Sequence, residues 1–217
     1  MFWTWLACNS GTTAAPTCPD GMVALPGGEV TIGVDAPEAP WHQPAHVTTL
    51  EPYCIDVYEH PNQLGAEPTV SVDQTEARAL CEAEGKRLCS SAEWERACRG
   101  PERHRYSYGA SFDRDRCYTP WPDASSGPKG QATRVASGSR TACRSPEGVH
   151  DLNGNVSEWV EDSWTPAATG PMGTVRGGTA WGGTFYGQDC TSRHGHPVTD
   201  RWQDDGFRCC ADPGSKK

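Results

Sequence analysis

Apolar and polar residues trade places over short spans in this chain. Between Cys18 and Gly33 ("CPDGMVALPGGEVTIG") the apolar positions Val23, Leu25, Val30 and Ile32 form two short runs around a Pro-Gly-Gly turn. That pattern predicts two strands. "HVTTLEPYCIDVYE" (46–59) places Val47, Leu50, Tyr53, Ile55 and Val57 in a further strand region. The spacing then becomes helical. Ser71 with Gln74 three residues on has capping-box spacing, Ala77, Leu80, Cys81 and Glu84 follow, and Gly85 supplies the stop. "SSAEWERACRG" repeats the device, with Ser90 as cap, Glu93 as its answer and Gly100 as stop. Trp94, Ala97 and Cys98 share one face of that second helix, so both helices carry a cysteine on the buried side. From 101 to 150 the chain reads as loop, with 119–130 its most turn-rich part, and "WQDDGFRCCAD" offers one closing strand. No internal repeat or second domain boundary is visible. Residues 1–17 read as leader and linker, 18–213 as one domain and 214–217 as a tail.

Composition agrees with many turns and few long helices. Of 217 residues 24 are Gly and 18 are Pro, and only 35% are hydrophobic, while nine Trp and six Tyr supply large buried areas. The net charge of −9 disfavours nucleic acid as a partner, because phosphate binding needs clustered Lys and Arg. No stretch approaches the length of a transmembrane span.

Eleven cysteines, with no C-x-x-C pair, argue for disulfides formed in an oxidising compartment rather than for zinc ribbons. The odd count leaves one over, and Cys8 is the candidate. "MFWTWLACNSGTTAAPTC" resembles the end of a bacterial lipoprotein signal with Cys8 as the lipidated residue. Leu6 stands one place closer to the cysteine than usual, and no Lys or Arg precedes the short apolar run; a tail with a stray thiol is the other reading. The expectation is an exported protein, in a bacterial periplasm or at a cell surface, with a lipid anchor if the signal is genuine.

Seven segments then occur in a telling order: "GMVALPGGEVTIG", "PYCIDVYEHPN", "GKRLCSSAEWERACRG", "YSYG", "GVHDLNGNVSEWVED", "VRGGTAWGG" and "DDGFRC". Together they resemble the formylglycine-generating enzyme (sulfatase-modifying factor) family from about Gly21 to Asp212. The resemblance implies an α+β fold related to C-type lectins, with two helices, short twisted strands and long loops, here stapled by disulfides. It also implies the pairings Cys81–Cys209, Cys98–Cys190 and Cys117–Cys143. Cys54–Cys89 and Cys18–Cys210 complete the count, although spacing alone fixes no connectivity. Relatives bind calcium at positions matching Asn155, Val156 and Glu158, and oxygen donors of this kind suit that ion. The same residues also read as an Asn-Gly turn at Asn153-Gly154 leading into a strand with Trp159 buried.

Enzymes of this family oxidise a sulfatase cysteine to formylglycine with oxygen and copper(I), held by two cysteines between the RGG motif and the last arginine-bearing strand. Thiolates are soft ligands suited to copper(I). Here that segment, 179–189 ("TAWGGTFYGQD"), contains no cysteine, and Gly182 stands near the expected first ligand. Cys190, three residues before Arg193, matches a structural cysteine of relatives. Copper and sulfatase activation are therefore not expected. G-x-S-x-G, P-loop and H-E-x-x-H signatures are absent. Two readings remain open. One is a non-catalytic domain that receives a peptide, protein or glycan in a groove lined by Arg176, Thr179, Trp181, Phe185, Tyr186, Arg193 and Trp202. The other is a divergent metal-dependent oxidase or oxygenase acting on a thiol or peptide. For that, "RHGHP" puts His194 and His196 on one side of a strand, with Asp200 as a third ligand; surface histidines are the plainer reading.

Overall fold

The computed structural model describes residues 17–38, 41–119, 134–164, 171–178 and 188–215. The N-terminal run folds as β1 (Met22–Leu25), β2 (Gly28–Ile32), β3 (His46–Leu50) and β4 (Tyr53–Asp56). Helices α1 (Gln74–Ala83) and α2 (Ser91–Arg99) flank the short β5 (Arg87–Leu88). The second half supplies β6 (Ser157–Ser163), β7 (Met172–Arg176), β8 (Arg193–Pro197), β9 (Asp205–Phe207) and β10 (Cys209–Ala211). One sheet has the order β1-β4-β10-β5, a second the order β8-β7-β6-β9, and β2 and β3 form a separate hairpin. This is the mixed α+β, loop-rich and disulfide-stapled architecture that the sequence implies.

Local signals account for the helices. Ser90 and Glu93 form a full capping box at α2, and Gly100 ends it at φ 64°. The start of α1 differs from expectation. Ser71 takes φ 60°, and the box is made by Asp73 and Glu76, which satisfy the same i, i+3 rule two residues later. Leu80 is exposed rather than buried, so the inward face of α1 is Gln74, Ala77 and Cys81. The expected closing strand is two strands. β9 pairs parallel with β6, and after Arg208 β10 pairs with β4 and β5 in the other sheet. The domain's ends meet where the Gly214 N–H donates to the Thr17 carbonyl at 2.9 Å.

The two helices lie against different core clusters. Trp94, Ala97 and Cys98 of α2 pack with Leu25, Tyr53, Ile55, Leu152 and Val160. Ala77 and Cys81 of α1 pack with Leu88, Trp159, Val175 and Phe207. Strand alternation separates the clusters: Glu158 and Val160 project from β6 toward α2, and Trp159 between them projects toward α1.

Five disulfides lock this arrangement: Cys81–Cys209, Cys98–Cys190, Cys117–Cys143, Cys18–Cys54 and Cys89–Cys210. The first three are the expected pairs. The expected Cys54–Cys89 and Cys18–Cys210 are replaced by an exchange of partners, and register explains it. Cys210 lies opposite Ile55 and Arg87, so it shares a face with Cys89 and turns away from Cys54. Cys54, on the other face, is left to Cys18.

Chain-entropy arguments make the longest closed loop the most stabilising. Cys81–Cys209 spans 128 residues and Cys117–Cys143 spans 26. Replacing both cysteines of the first pair by Ala is expected to cost about 1.4 kcal/mol more than the same change in the second. Urea unfolding of the two double variants checks this order.

Candidate functional site

The RGG motif closes β7 and leads into the segment that carries copper ligands in the enzymes. Arg176 does not face a ligand there. Its side chain is buried, with Nε and Nη2 donating to Ser91 Oγ at 2.8 and 2.6 Å, and Nη1 donating to Glu95 Oε2 at 3.1 Å and the Cys190 carbonyl at 3.2 Å. Glu95 is held in turn by the Gly33 N–H and Arg99. The expected place of Arg176 in the groove is therefore corrected: every direction of its guanidinium is committed to the core. Gly177 and Gly178 follow at φ 86° and 67°, and a Cβ on Gly178 would lie 2.6 Å from the Gln188 amide nitrogen. Side chains at these positions would be strained, and the second would also collide.

From Gln188 onward the backbone is held by buried side chains. Asn153, expected as a turn residue, is a buried clamp: its Nδ2 donates to the Gln188 carbonyl at 2.7 Å and its Oδ1 accepts the Ser107 N–H at 2.7 Å. Asp189 gathers the most donors. One oxygen accepts the Thr191 N–H (3.0 Å), the Thr191 hydroxyl (2.8 Å) and the Ser192 hydroxyl (2.9 Å). The other meets His42 Nε2 and Arg105 Nε, each at 3.2 Å. Burial opposes ionisation of Asp189, but these hydrogen bonds and the neighbouring His42 hold its carboxyl below the ordinary range. Asp189 and His42 escaped the sequence reading, although an Asp with Thr and Ser two and three residues later is the signature of an Asx turn. Cys190 is bridged to Cys98 and is fully buried. Its sulfur is no free thiolate, and the residues present do not fit a copper(I) ion.

Beyond this point Arg193 lies over the Trp164 ring, 5.0 Å from its centroid, and His194 stacks on Trp41 at 6.1 Å. Trp41 and Trp164, also missed in the sequence, are thus the described aromatics beside the segment. Thr179, Trp181, Phe185 and Tyr186 lie outside the described residues, as does Cys8. Trp202 is not brought to Arg193. β8 runs about 13 Å from Arg193 to Pro197 at strand rise. Trp202 stands past the Pro197 end, exposed, with its indole N–H on Asp200 and its carbonyl accepting the Ser71 N–H. His194 and His196 do alternate onto one face of β8, as expected. His196 Nδ1, however, is 2.7 Å from Asp205 Oδ2, and Asp200 is occupied by Trp202. Among the described residues no group of three or more His, Cys, Asp or Glu could hold a metal ion.

The expected calcium residues belong to a buried polar centre. Glu158 accepts Arg208 Nε and Nη2, both at 2.6 Å, and the Trp94 indole N–H at 2.7 Å. Asn155, at φ 58°, uses its amide on the Val135 backbone and on Glu59 Oε1 at 2.8 Å. The donors point at protein partners, so as arranged they do not fit a calcium ion. The strand and buried Trp159 of the alternative reading are present. Adding calcium is expected to leave the melting temperature unchanged; a saturable rise would show that the ion displaces Arg208.

Glu59 is the exposed weakness of this centre in energetic terms. It is fully buried, and its Oε2 has no hydrogen-bond partner. Burial first, then the charge of Asp151, raises its carboxyl well above the ordinary range, with Arg208 opposing. Burial likewise raises Asp151. A carboxyl with a raised folded pKa keeps its proton while the unfolded chain loses one. Its contribution is therefore complete below the unfolded value of about 4.3 and is lost as pH rises through the folded one. Glu59→Gln keeps an oxygen for Asn155 and is expected to flatten the decline in stability between about pH 5 and about pH 8. Urea unfolding at both values checks it.

A family model described as the sulfatase-modifying factor enzyme 1-like domain matches residues 58–213. Among solved structures the chain is similar to PvdO from Pseudomonas aeruginosa, with 21% identity, 88% of this chain and 94% of that chain covered, and a TM-score of 0.68. It is similar to Treponema denticola variable protein 1 at 18% identity, with 88% and 95% covered and a TM-score of 0.68. The structure of CarF gives 17% identity, 89% and 98% covered, and a TM-score of 0.65. At these identities the likeness to solved structures is one of fold. The family match spans most of the chain, including both helices, the RGG strand and both closing strands, and so the chain belongs to the sulfatase-modifying factor enzyme 1-like domain family.

Proposed function

We propose that this protein is an exported, non-catalytic member of its family that binds a peptide or glycan, with Trp181, Phe185, Tyr186 and Arg193 as the contact residues. The observation that carries this reading is the Cys98–Cys190 disulfide. Copper(I) chemistry of the family type needs two free thiolates. The 179–189 segment has none in its sequence, and the next cysteine is bonded to α2. Gly177 and Gly178 turn the chain at positive φ after β7, Asn153 and Asp189 hold the backbone from Gln188 on, and in this reading Trp181, Phe185, Tyr186 and Arg193 would supply aromatic and cationic contact groups. Such lining suits a ligand with apolar faces and polar edges.

Export rests on the five disulfides, which suit an oxidising compartment. No helix among the described residues is long and apolar enough to cross a membrane. Attachment to a bacterial membrane would come from a lipid on Cys8, facing a periplasm or the cell surface.

The test is direct. Protein oxidised at all five bridges, supplied with copper(I) and a peptide carrying the sulfatase motif, is expected to yield no formylglycine by mass spectrometry. Stoichiometric copper or iron in the purified protein, or any formylglycine, would overturn the reading in favour of a divergent oxidase. Peptide and glycan arrays should instead report binding that weakens about tenfold or more when Trp181 and Tyr186 are replaced by Ala.

A further inference from the structure

A cleft of about 360 Å³ lies between β2 and the C-terminal end of α2. Val30 and Ile32 of β2 form an apolar wall, with Pro101 from the turn after α2. Three arginines, Arg96, Arg99 and Arg103, share the lining with a single carboxylate, Glu29. In a chain of net charge −9 this is a local reversal of sign. The cleft has a buried base and an open mouth. Ile32 and Arg99 are buried, whereas Glu29, Pro101 and Arg103 are exposed.

The three arginines are not equivalent. Arg99 is consumed by the fold. Its Nη1 donates to the Gly33 carbonyl at 2.8 Å and to Glu95 Oε1 at 3.0 Å, its Nη2 to the Arg103 carbonyl at 3.2 Å, and its Nε to the His104 carbonyl at 3.3 Å. One side chain thus ties the chain just past β2 and the 103–104 turn to α2, and so sets the width of the cleft. Arg96 is half used. Its Nη1 donates to Glu147 Oε1, which leaves the Nε–Nη2 edge without a partner among the described residues. Neither of those nitrogens is a buried atom, in contrast to Nε of Arg193. Arg103 is unused: its exposed side chain makes no hydrogen bond or ion pair among the described residues. Its backbone is fixed at φ 56°, unfavourable for a residue with a Cβ, by Arg99 on its carbonyl and by its own N–H on the Gly100 carbonyl.

A free Nε–Nη2 edge closes on a carboxylate through two parallel hydrogen bonds. The fold makes the same contact internally, where Nε and Nη2 of Arg208 hold Glu158. Arg103 adds a second cation at the mouth. The wall of Val30, Ile32 and Pro101 suits a hydrocarbon or aromatic body, which an inorganic anion lacks. Glu29 lines the same cleft and would repel a second acidic group on the ligand. The volume falls at the small end of ligand pockets, which run from about 300 to about 1,000 Å³. We propose that this cleft binds a small monocarboxylic acid with an apolar body, its carboxylate held by the Nε–Nη2 edge of Arg96 and by Arg103. The cleft shares no residue with the contact group of Trp181, Phe185, Tyr186 and Arg193. Failure of either reading therefore leaves the other standing.

The experiment uses the oxidised full-length protein and follows the backbone amides of Gly100 and Arg103 by nuclear magnetic resonance. The probes are N-acetyl-phenylalanine, its C-terminal amide, acetate, inorganic phosphate and a longer peptide ending in phenylalanine. The acid is expected to shift both signals saturably, and the amide, phosphate and peptide to leave them. Acetate should bind about tenfold or more weakly, because it has no apolar body to bury. Arg103→Gln and Arg96→Lys should each weaken the acid about tenfold or more. Arg140→Gln, at an exposed arginine outside the cleft, should not. Arg96→Lys keeps a cation for Glu147, and Arg103→Gln removes an exposed group, so the melting temperature of the second variant should match that of the parent. No saturable shift by the acid, or equal shifts by acid and amide, would overturn the proposal. Binding of phosphate in place of the acid overturns the carboxylate assignment. Binding of the peptide as tightly as the acid makes the occupant a peptide end and overturns the small-molecule assignment. Unchanged affinity in both arginine variants overturns the anchor.

Discussion

Between β9 and β10 a single residue, Arg208, carries the chain from one four-stranded sheet into the other, and its guanidinium bonds the two regions at that point. Two of its nitrogens close on the Glu158 carboxylate from β6, and the remaining contacts go to the carbonyls of Asp56, Val57 and His150. Trp94 reaches the same carboxylate from α2. One buried ion pair thus joins both sheets, a helix and the loop before the NGN turn. Both partners are fully buried, so the loss of either would leave an uncompensated charge at a cost of about 3–5 kcal/mol. That is a large share of the total stability of an ordinary domain, about 5–15 kcal/mol. The pair contributes more to specifying the crossing of the two sheets than a hydrophobic contact of the same size, because only one geometry satisfies all its hydrogen bonds.

The candidate site is built outward from that centre. β6 places Glu158 against Arg176 in register, Arg176 ends β7, and the RGG turn starts where β7 stops. On the return, Asn153 and Asp189 hold the backbone and Cys98–Cys190 pins it to α2. The same disulfide also withholds the Cys190 sulfur from metal chemistry. The two ends of the 179–187 segment are therefore firmly positioned by groups that do no chemistry themselves.

Some of this was legible in the residues. The α2 box at Ser90 and Glu93, its glycine stop and the inward face of Trp94, Ala97 and Cys98 follow from interactions within one or two helical turns. The order of seven motifs indicated the fold and the lack of the copper pair. The start of α1 was ambiguous because Ser71/Gln74 and Asp73/Glu76 both satisfy the capping rule, and only the left-handed turn at Ser71 separates them. Arg176 and Arg193 look alike in the sequence, each beside glycine or serine near a strand end. One is consumed by Glu95 and Ser91 and the other has no carboxylate partner among the described residues, and that difference arises from what α2 brings to β7.

By itself, then, the sequence determined what depends on neighbours along the chain: helix caps, turn positions, the half-buried alternation of the strands, and the absence of thiolates between 179 and 189. Tertiary structure decided what depends on facing partners across sheets. The side of β10 to which Cys210 projects set the exchanged disulfides, Cys89–Cys210 and Cys18–Cys54. The burial of Glu158 committed it to Arg208, and the distance along β8 separated Trp202 from Arg193. Such choices join residues far apart in the chain through strand register and burial, and a local pattern compatible with two registers carries no information about which one the packed core selects.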